Sequence, residues 1–147
     1  MINLKYASLF GWLCAIPALI VQLNMHVLFA TEVTGITIQV LAVVLMLWAR
    51  ITFGRRSFHA AANPTEGGLV THGPYKYLRH PIYAAIIYFT WSGVISNGIT
   101  ATSAMLVIVI TLGLSVRMIA EEKLVAEKYP DYTGYAARTK RVIPFIF

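Results

Sequence analysis

Four long apolar runs set the pattern of the chain: roughly Tyr6–Ala30, Gly35–Phe53, Ile82–Ser96 and Ile99–Ala120. Short polar turns near Thr31–Thr34 and Ser96–Gly98 separate the first pair and the last pair. One long polar loop, Gly54–His80, with turn signals at Asn63-Pro64 and Gly67-Gly68, divides the pairs. A membrane-spanning helix needs about 20 predominantly apolar residues. The third run reaches that length only if Pro81 begins the helix and the turn at Asn97-Gly98 dips toward the headgroups. Proline suits a first helical position, because its missing N–H would have no partner there. His80, the residue before it, is pushed out of the α region by the proline ring. The pattern predicts an all-α, polytopic membrane protein of about four transmembrane helices. A C-terminal tail, Glu121–Phe147, begins as a continuation of the fourth run and breaks near Pro130. It ends in an apolar "VIPFIF" beside Arg138, Lys140 and Arg141, which suits a segment lying at the bilayer surface.

Composition sharpens this picture. The chain has 147 residues, of which 58% are hydrophobic and 12% charged. Soluble domains carry about 25% charged residues. So short a chain has no core large enough to absorb that apolar surface, so lipid must cover it. The length fits one domain, residues 1–147. Residues 1–53 give two N-terminal spans, and 54–147 carry the loop, a helical hairpin and the tail. The first run is too long for a signal peptide, and Leu28-Phe29-Ala30 lacks the small residue of a cleavage site, so it reads as a retained helix. Cys14, the one cysteine, sits in an apolar run and says nothing of the redox compartment.

The charge balance of +6 does not point to nucleic acid, because the cations sit between apolar runs. Their placement gives orientation instead. Lys5 precedes the first run, Arg50, Arg55, Arg56, Lys76 and Arg79 lie between the second and third, and the rest end or follow the fourth. Neither short turn holds a Lys or Arg. The positive-inside rule then puts both termini and the long loop in the cytosol.

Candidate chemistry gathers where the long loop meets the third run, in "LVTHGPYKYLRHPIYAAIIYF". Gly73-Pro74 is a turn. Arg79 and His80 fall at the start of a helix, where free N–H groups and the helix dipole favour anions. Arg79 and His80 meeting lipid phosphates, with Tyr75, Tyr77 and Tyr83 as an aromatic belt, would also explain the stretch. The third and fourth runs, joined by a tight turn, must cross the same thickness in opposite directions. Glu121 and Glu122 therefore return to the face that holds Arg79, His80 and Tyr83. Pairing of the two acids with Arg117 or Lys123 along the helix is the plain alternative, worth tenths of a kcal/mol. The functional reading is a pocket with a cationic wall, an acidic wall and aromatic rings, fit for a zwitterion with a flat base. Gln22, Asn24 and His26 are polar at membrane depth and read as facing other helices, where they could line a substrate path.

The sequence "GPYKYLRHPIY", followed after a hairpin by "EEKLVAEKYPDYTGYAARTKRVIPFIF", resembles the isoprenylcysteine carboxyl methyltransferase family and is similar to the phospholipid methyltransferases. The shared pattern is Arg79-His80-Pro81-Ile82-Tyr83, Glu121-Glu122, Tyr132-Thr133-Gly134-Tyr135 and Ile143-Pro144. It covers residues 67–147, and it departs at Ala85, where the family usually has glycine. The resemblance implies an S-adenosylmethionine-dependent methyltransferase, with the cofactor in a cytosolic pocket closed by the tail. A lipophilic acceptor, a prenylated thiol or carboxylate or a lipid headgroup, would enter from the bilayer. It further implies cofactor contacts at His72, Gly73, Tyr75, Tyr77, Arg79, His80, Pro81, Tyr83, Glu121 and Glu122. His80, Tyr83 and Arg138 would serve the reaction, with Arg138 orienting the acceptor. No glycine-rich nucleotide fingerprint follows a strand. The four histidines have neither a cysteine partner nor His-Glu-x-x-His spacing, so no metal site is expected. Two other readings suit the same spans: a non-catalytic membrane protein that kept the fold, and a sterol-reductase-like enzyme using a nicotinamide cofactor. Oligomeric state and the identity of the acceptor stay open.

Overall fold

The computed structural model describes residues 4–54 and 68–144, with the backbone alone at residues 4 and 5. Among the described residues the chain forms helices α1 (Leu4–Asn24), α2 (Val33–Phe53), α3 (Pro81–Ser96), α4 (Ala101–Lys128) and α5 (Tyr132–Arg138). A 3-10 turn at Gly73–Lys76 precedes α3, and a lone parallel bridge pairs Leu78 with Lys140. The protein is an all-α, polytopic membrane protein. Helices α1, α2 and α4 are long and apolar enough to cross a bilayer. Helix α3 has 16 residues, about 24 Å at 1.5 Å per residue, against a hydrocarbon core of about 30 Å.

Local chemistry sets the boundaries. Helix α3 starts at Pro81, with His80 outside the α region at φ −127° and ψ 58°. Helix α4 starts from a reciprocal cap: the Thr100 hydroxyl accepts from Ser103 N–H, while Ser103 Oγ accepts from Thr100 N–H. The first apolar run is not one continuous helix to Ala30. It stops after Asn24, and His26 takes a left-handed φ of 57° that turns the chain toward α2.

Helix α1 packs along α4, and α2 packs along α3; the contact between α3 and α4 is smaller. Glycines let the first pair come close. A Cβ on Gly11 would lie 2.5 Å from the Gly113 carbonyl oxygen, and one on Gly113 would lie 2.9 Å from that of Gly11. Around this contact Ala15, Ala18, Ala84, Ile110, Leu114 and Met118 form the buried core, joined by Leu78 and Val142 from the loop and tail. Helix α2 shows mostly apolar side chains outward, with Val33 and Ile51 each about four-fifths exposed. In water such a surface would be unstable; in a bilayer it faces lipid.

The two turns that lack Lys and Arg meet at one end of the bundle. Ser96 Oγ accepts from the Thr31 and Glu32 N–H groups at 2.9 and 2.8 Å, and Asn97 Nδ2 donates to the Phe29 carbonyl at 2.8 Å. At the opposite end the tail folds back from the end of α4 over the segment that leads into α3. Arg79 N–H donates to the Lys140 carbonyl (2.6 Å), His80 N–H to that of Arg141 (3.0 Å), and Lys140 N–H to that of Tyr77 (3.2 Å). The Tyr135 hydroxyl reaches the Tyr75 carbonyl at 2.7 Å, and the Tyr88 hydroxyl bonds to the Val142 carbonyl. The tail is therefore strapped to the segment that carries the motif.

Candidate functional site

Arg79 and His80 close the loop before α3, and Glu121 and Glu122 stand two turns before the end of α4. The antiparallel hairpin brings the two pairs together across about forty residues of sequence. Arg79 Nε bonds to Glu122 Oε1 at 3.0 Å. His80 Nε2 lies 3.2 Å from the same oxygen, and its Nδ1 lies 3.8 Å from Glu121 Oε2. The imidazole thus sits between the two carboxylates. Its ring stacks on Tyr83, with centroids 5.6 Å apart and planes at 23°. Arg141 completes the surround of Glu122, its Nη2 bonding to Oε2 at 2.9 Å and its Nε to both oxygens. These hydrogen bonds hold the Arg141 guanidinium charged even more firmly than usual.

Successive residues on a helix point about 100° apart, and the two acids accordingly meet different partners. Glu122 faces Arg79 and the tail, whereas Glu121 faces Tyr83 and Arg117. Its Oε1 accepts from the Tyr83 hydroxyl at 2.7 Å and from Arg117 Nη2 at 2.8 Å. Arg117 is 2% exposed. Its Nε donates to the Tyr83 oxygen at 2.6 Å, and its Nη1 donates to the Ser8 hydroxyl and carbonyl at 2.8 and 3.2 Å. The guanidinium also lies 5.2 Å from the Trp12 ring centroid and 5.8 Å from that of Tyr83. A buried cation is costly without such partners; here α1, α3 and α4 all supply them.

The tail forms the outer wall. Arg79 Nη1 donates to the carbonyls of Ala136 and Thr139, at 2.6 and 3.0 Å, so this arginine ties the α5 segment to Glu122. Tyr132 and Tyr135 are buried beneath. Burial pushes the Tyr135 phenol up to about 12, and raises Tyr75 and Tyr132 as well, with Glu122 adding to the effect at Tyr132. All three stay neutral and serve as hydroxyl groups rather than bases.

The structure gathers Arg79, His80, Tyr83, Glu121 and Glu122 as the sequence suggested, but not as opposed walls: Arg79 and Glu122 touch. Pro81 begins α3 beneath them. Tyr75 is buried against Phe53 of α2, with its carbonyl holding Tyr135. Gly73 adopts φ 59°, where a Cβ would lie 2.7 Å from Thr52 Oγ1, so it seats the 3-10 turn on α2. His72 is exposed, and Tyr77 is half exposed with Lys76 Nζ over its ring. Arg138 is exposed and bonds within its own helix, to the Gly134 carbonyl at 3.2 Å. Ala85, buried, lies two residues from Tyr83 and hence on the other side of α3. Of the three polar residues near the end of α1, Gln22 alone is buried; Asn24 and His26 are exposed, and His26 lies past the helix. Gln22 is also 14 residues from Ser8, about 21 Å along the helix, at the far end from the acids. The sequence reading named Arg117 only as a pairing partner of the acids along the helix, and that pair is present with Glu121; Arg141, Ser8 and Trp12 it missed as members of the cluster. A cation at 117 inside an apolar run, four residues before Glu121, was the available signal. Among the described residues no group of three or more His, Cys, Asp or Glu could hold a metal ion.

A multispanning helical protein with a charged, aromatic-lined cluster where a helical hairpin meets its tail is the class that fold and site define. Residues 30–132, which include the whole of α2, α3 and α4, match the phospholipid methyltransferase family. The chain belongs to that family, within the group of integral membrane methyltransferases that also holds isoprenylcysteine carboxyl methyltransferase. It is also similar to the nickel-cobalt-cadmium resistance protein NccN of Alcaligenes xylosoxydans xylosoxydans, with 30% identity over 122 residues. That alignment covers 80% of this chain and 50% of NccN, so the chain spans about half the length of this curated relative. No solved structure matches the chain.

Proposed function

We propose that this protein transfers a methyl group from S-adenosylmethionine to a lipophilic acceptor resident in the bilayer, at the cytosolic ends of α3 and α4. The observation that carries the reading is the convergence of Arg79, His80, Tyr83, Glu121 and Glu122 in a chain of this family. The residues present fit the cofactor by charge: cations at 79 and 141 and the imidazole at 80 suit its carboxylate. Glu121 and Glu122 suit its ammonium, and the Tyr83 and Trp12 faces suit a cation. When bound, S-adenosylmethionine supplies an activated methyl group on a sulfonium, open to in-line displacement. Little acid–base work is then asked of the chain. Its contribution is alignment and exclusion of water, for which effective molarity is worth up to about 7–11 kcal/mol. A carboxylate acceptor needs no base. For an amine or thiol, His80, between the two carboxylates, is the residue placed to take the proton. Arg138, exposed at the end of α5, would meet the polar head of the acceptor from the aqueous side.

The site lies where α1 and α4 enter the membrane, level with lipid headgroups. A long-chain acceptor is delivered to that depth by the bilayer at about 0.8 kcal/mol per methylene. Two measurements test the reading. Labelled S-adenosylmethionine should bind the purified protein, and turnover with one fixed reactive head should climb with chain length before levelling. Absence of binding would remove the cofactor from the account; a flat chain-length profile would remove the membrane's role in delivery.

A further inference from the structure

Helix α1 carries none of the motif, yet its Ser8 and Trp12 hold the arginine that grips one oxygen of Glu121. The second oxygen, Oε2, lies on the His80 side, 3.8 Å from Nδ1. Rotation of a carboxylate about its last bond is broad and nearly two-fold, so an unheld Glu121 would present either oxygen, or neither, to a ligand. Two donors on Oε1 remove that freedom: the Tyr83 hydroxyl at 2.7 Å and Arg117 Nη2 at 2.8 Å. Arg117 also donates to the Tyr83 oxygen, which leaves the Tyr83 proton directed at Glu121. Burying a guanidinium at 2% exposure serves stability poorly, since well-packed apolar groups do as well or better in such places. What the guanidinium provides that they would not is a rigid fork with several donors in fixed directions.

We propose that Arg117 is a positioning residue: with Tyr83 it fixes Oε1 of Glu121 so that Oε2 is presented beside His80 to the ammonium end of the bound cofactor. Through Ser8 and Trp12 it makes α1 part of the site. This rests on the reading of S-adenosylmethionine as the cofactor. It places the specificity for that group partly on a helix outside the motif.

The test is a double-mutant cycle read by equilibrium binding of S-adenosylmethionine to the full chain in detergent, with apo thermal stability measured alongside. Glu121→Gln and Arg117→Gln should each weaken binding about tenfold or more, as expected for loss of a charged hydrogen bond. If Arg117 acts through Glu121, the double variant binds within about twofold of Glu121→Gln alone, because residues that act as one unit are not additive. Penalties that multiply, or an Arg117→Gln protein that binds as the wild type does, would overturn the proposal. Should Arg117→Gln fail to fold, Ser8→Ala carries the same cycle, with binding weakened about threefold in the parent and unchanged in the Glu121→Gln background. A general structural role would instead lower apo stability and add the same penalty in both backgrounds. Failure of the wild type itself to bind S-adenosylmethionine overturns the cofactor reading and this inference with it.

Discussion

Replacing Arg79 with methionine keeps the apolar stem and removes the fork. The fork bonds to Glu122 at 3.0 Å and to the tail carbonyls of Ala136 and Thr139 at 2.6 and 3.0 Å. The site is nearly closed, with the Arg79 and Glu122 side chains 12% and 13% exposed. Hydrogen bonds to charged groups contribute about 1.5–3 kcal/mol each, and a simple sum of three would reach about 4.5–9 kcal/mol. Glu122 keeps His80 and Arg141, so it is not orphaned, and the loss belongs nearer the bottom of the about 3–5 kcal/mol range for breaking a buried pair. That energy falls on the tail, which is held to the loop by a few backbone bonds, rather than on the α1–α4 core. Local opening is therefore expected before global unfolding. Amide hydrogen exchange followed by mass spectrometry reads this directly. About 3 kcal/mol corresponds to exchange faster by somewhat more than a hundredfold in peptides covering 132–142. Peptides from the α1–α4 contact should change little. Arg138→Ala is the control: it removes a bond within α5 at an exposed site and should shift exchange by less than about 0.5 kcal/mol. Equal acceleration along the whole chain, or an unchanged tail in Arg79→Met, would refute the assignment of Arg79 as the latch.

Gly11→Ala should lower thermal stability by about 1–3 kcal/mol, as overpacking does, because the new Cβ would sit 2.5 Å from the Gly113 carbonyl oxygen; an unchanged melting temperature would show that α1 and α4 separate at little cost. Tyr135 has a folded-state pKa of about 12 against its ordinary 10, so the unfolded chain loses that proton first as pH rises. The stability it contributes is present below pH 10 and lost as pH rises toward 12, and Tyr135→Phe should flatten that part of a denaturation–pH profile. In a Cys14→Ser background, a cysteine at Asn97 should react with an impermeant thiol reagent from the non-cytosolic side, and one at Lys76 from the cytosolic side alone. Labelling of both from the same side would break the hairpin.

Much of this protein was decided by its sequence alone, because a bilayer imposes strict terms. Charged groups are expelled from hydrocarbon, so the apolar runs of α1, α2 and α4 and the clustering of cations announced the spans. Two helices joined by a tight turn must return to the same face, so the meeting of Arg79 and His80 with Glu121 and Glu122 followed from residue spacing. The ring of Pro81 set the start of α3 in the same way. The loop signals at Asn63-Pro64, the cations Arg55 and Arg56 and the final Phe145-Ile146-Phe147 lie outside the described residues. The tertiary structure alone decided which partner each charge takes. A 100° step separates Glu121 from Glu122, and only the packed neighbours determine that the first meets Arg117 and Tyr83 while the second meets Arg79, His80 and Arg141. The same step leaves Gln22 buried and Asn24 exposed, and a left-handed turn at His26 ends a run that composition would have continued. Ser8 and Arg117 lie 109 residues apart in sequence. No local rule links them; they meet because Gly11 and Gly113 lack side chains and let two helix backbones approach closely enough for one buried guanidinium to span the gap.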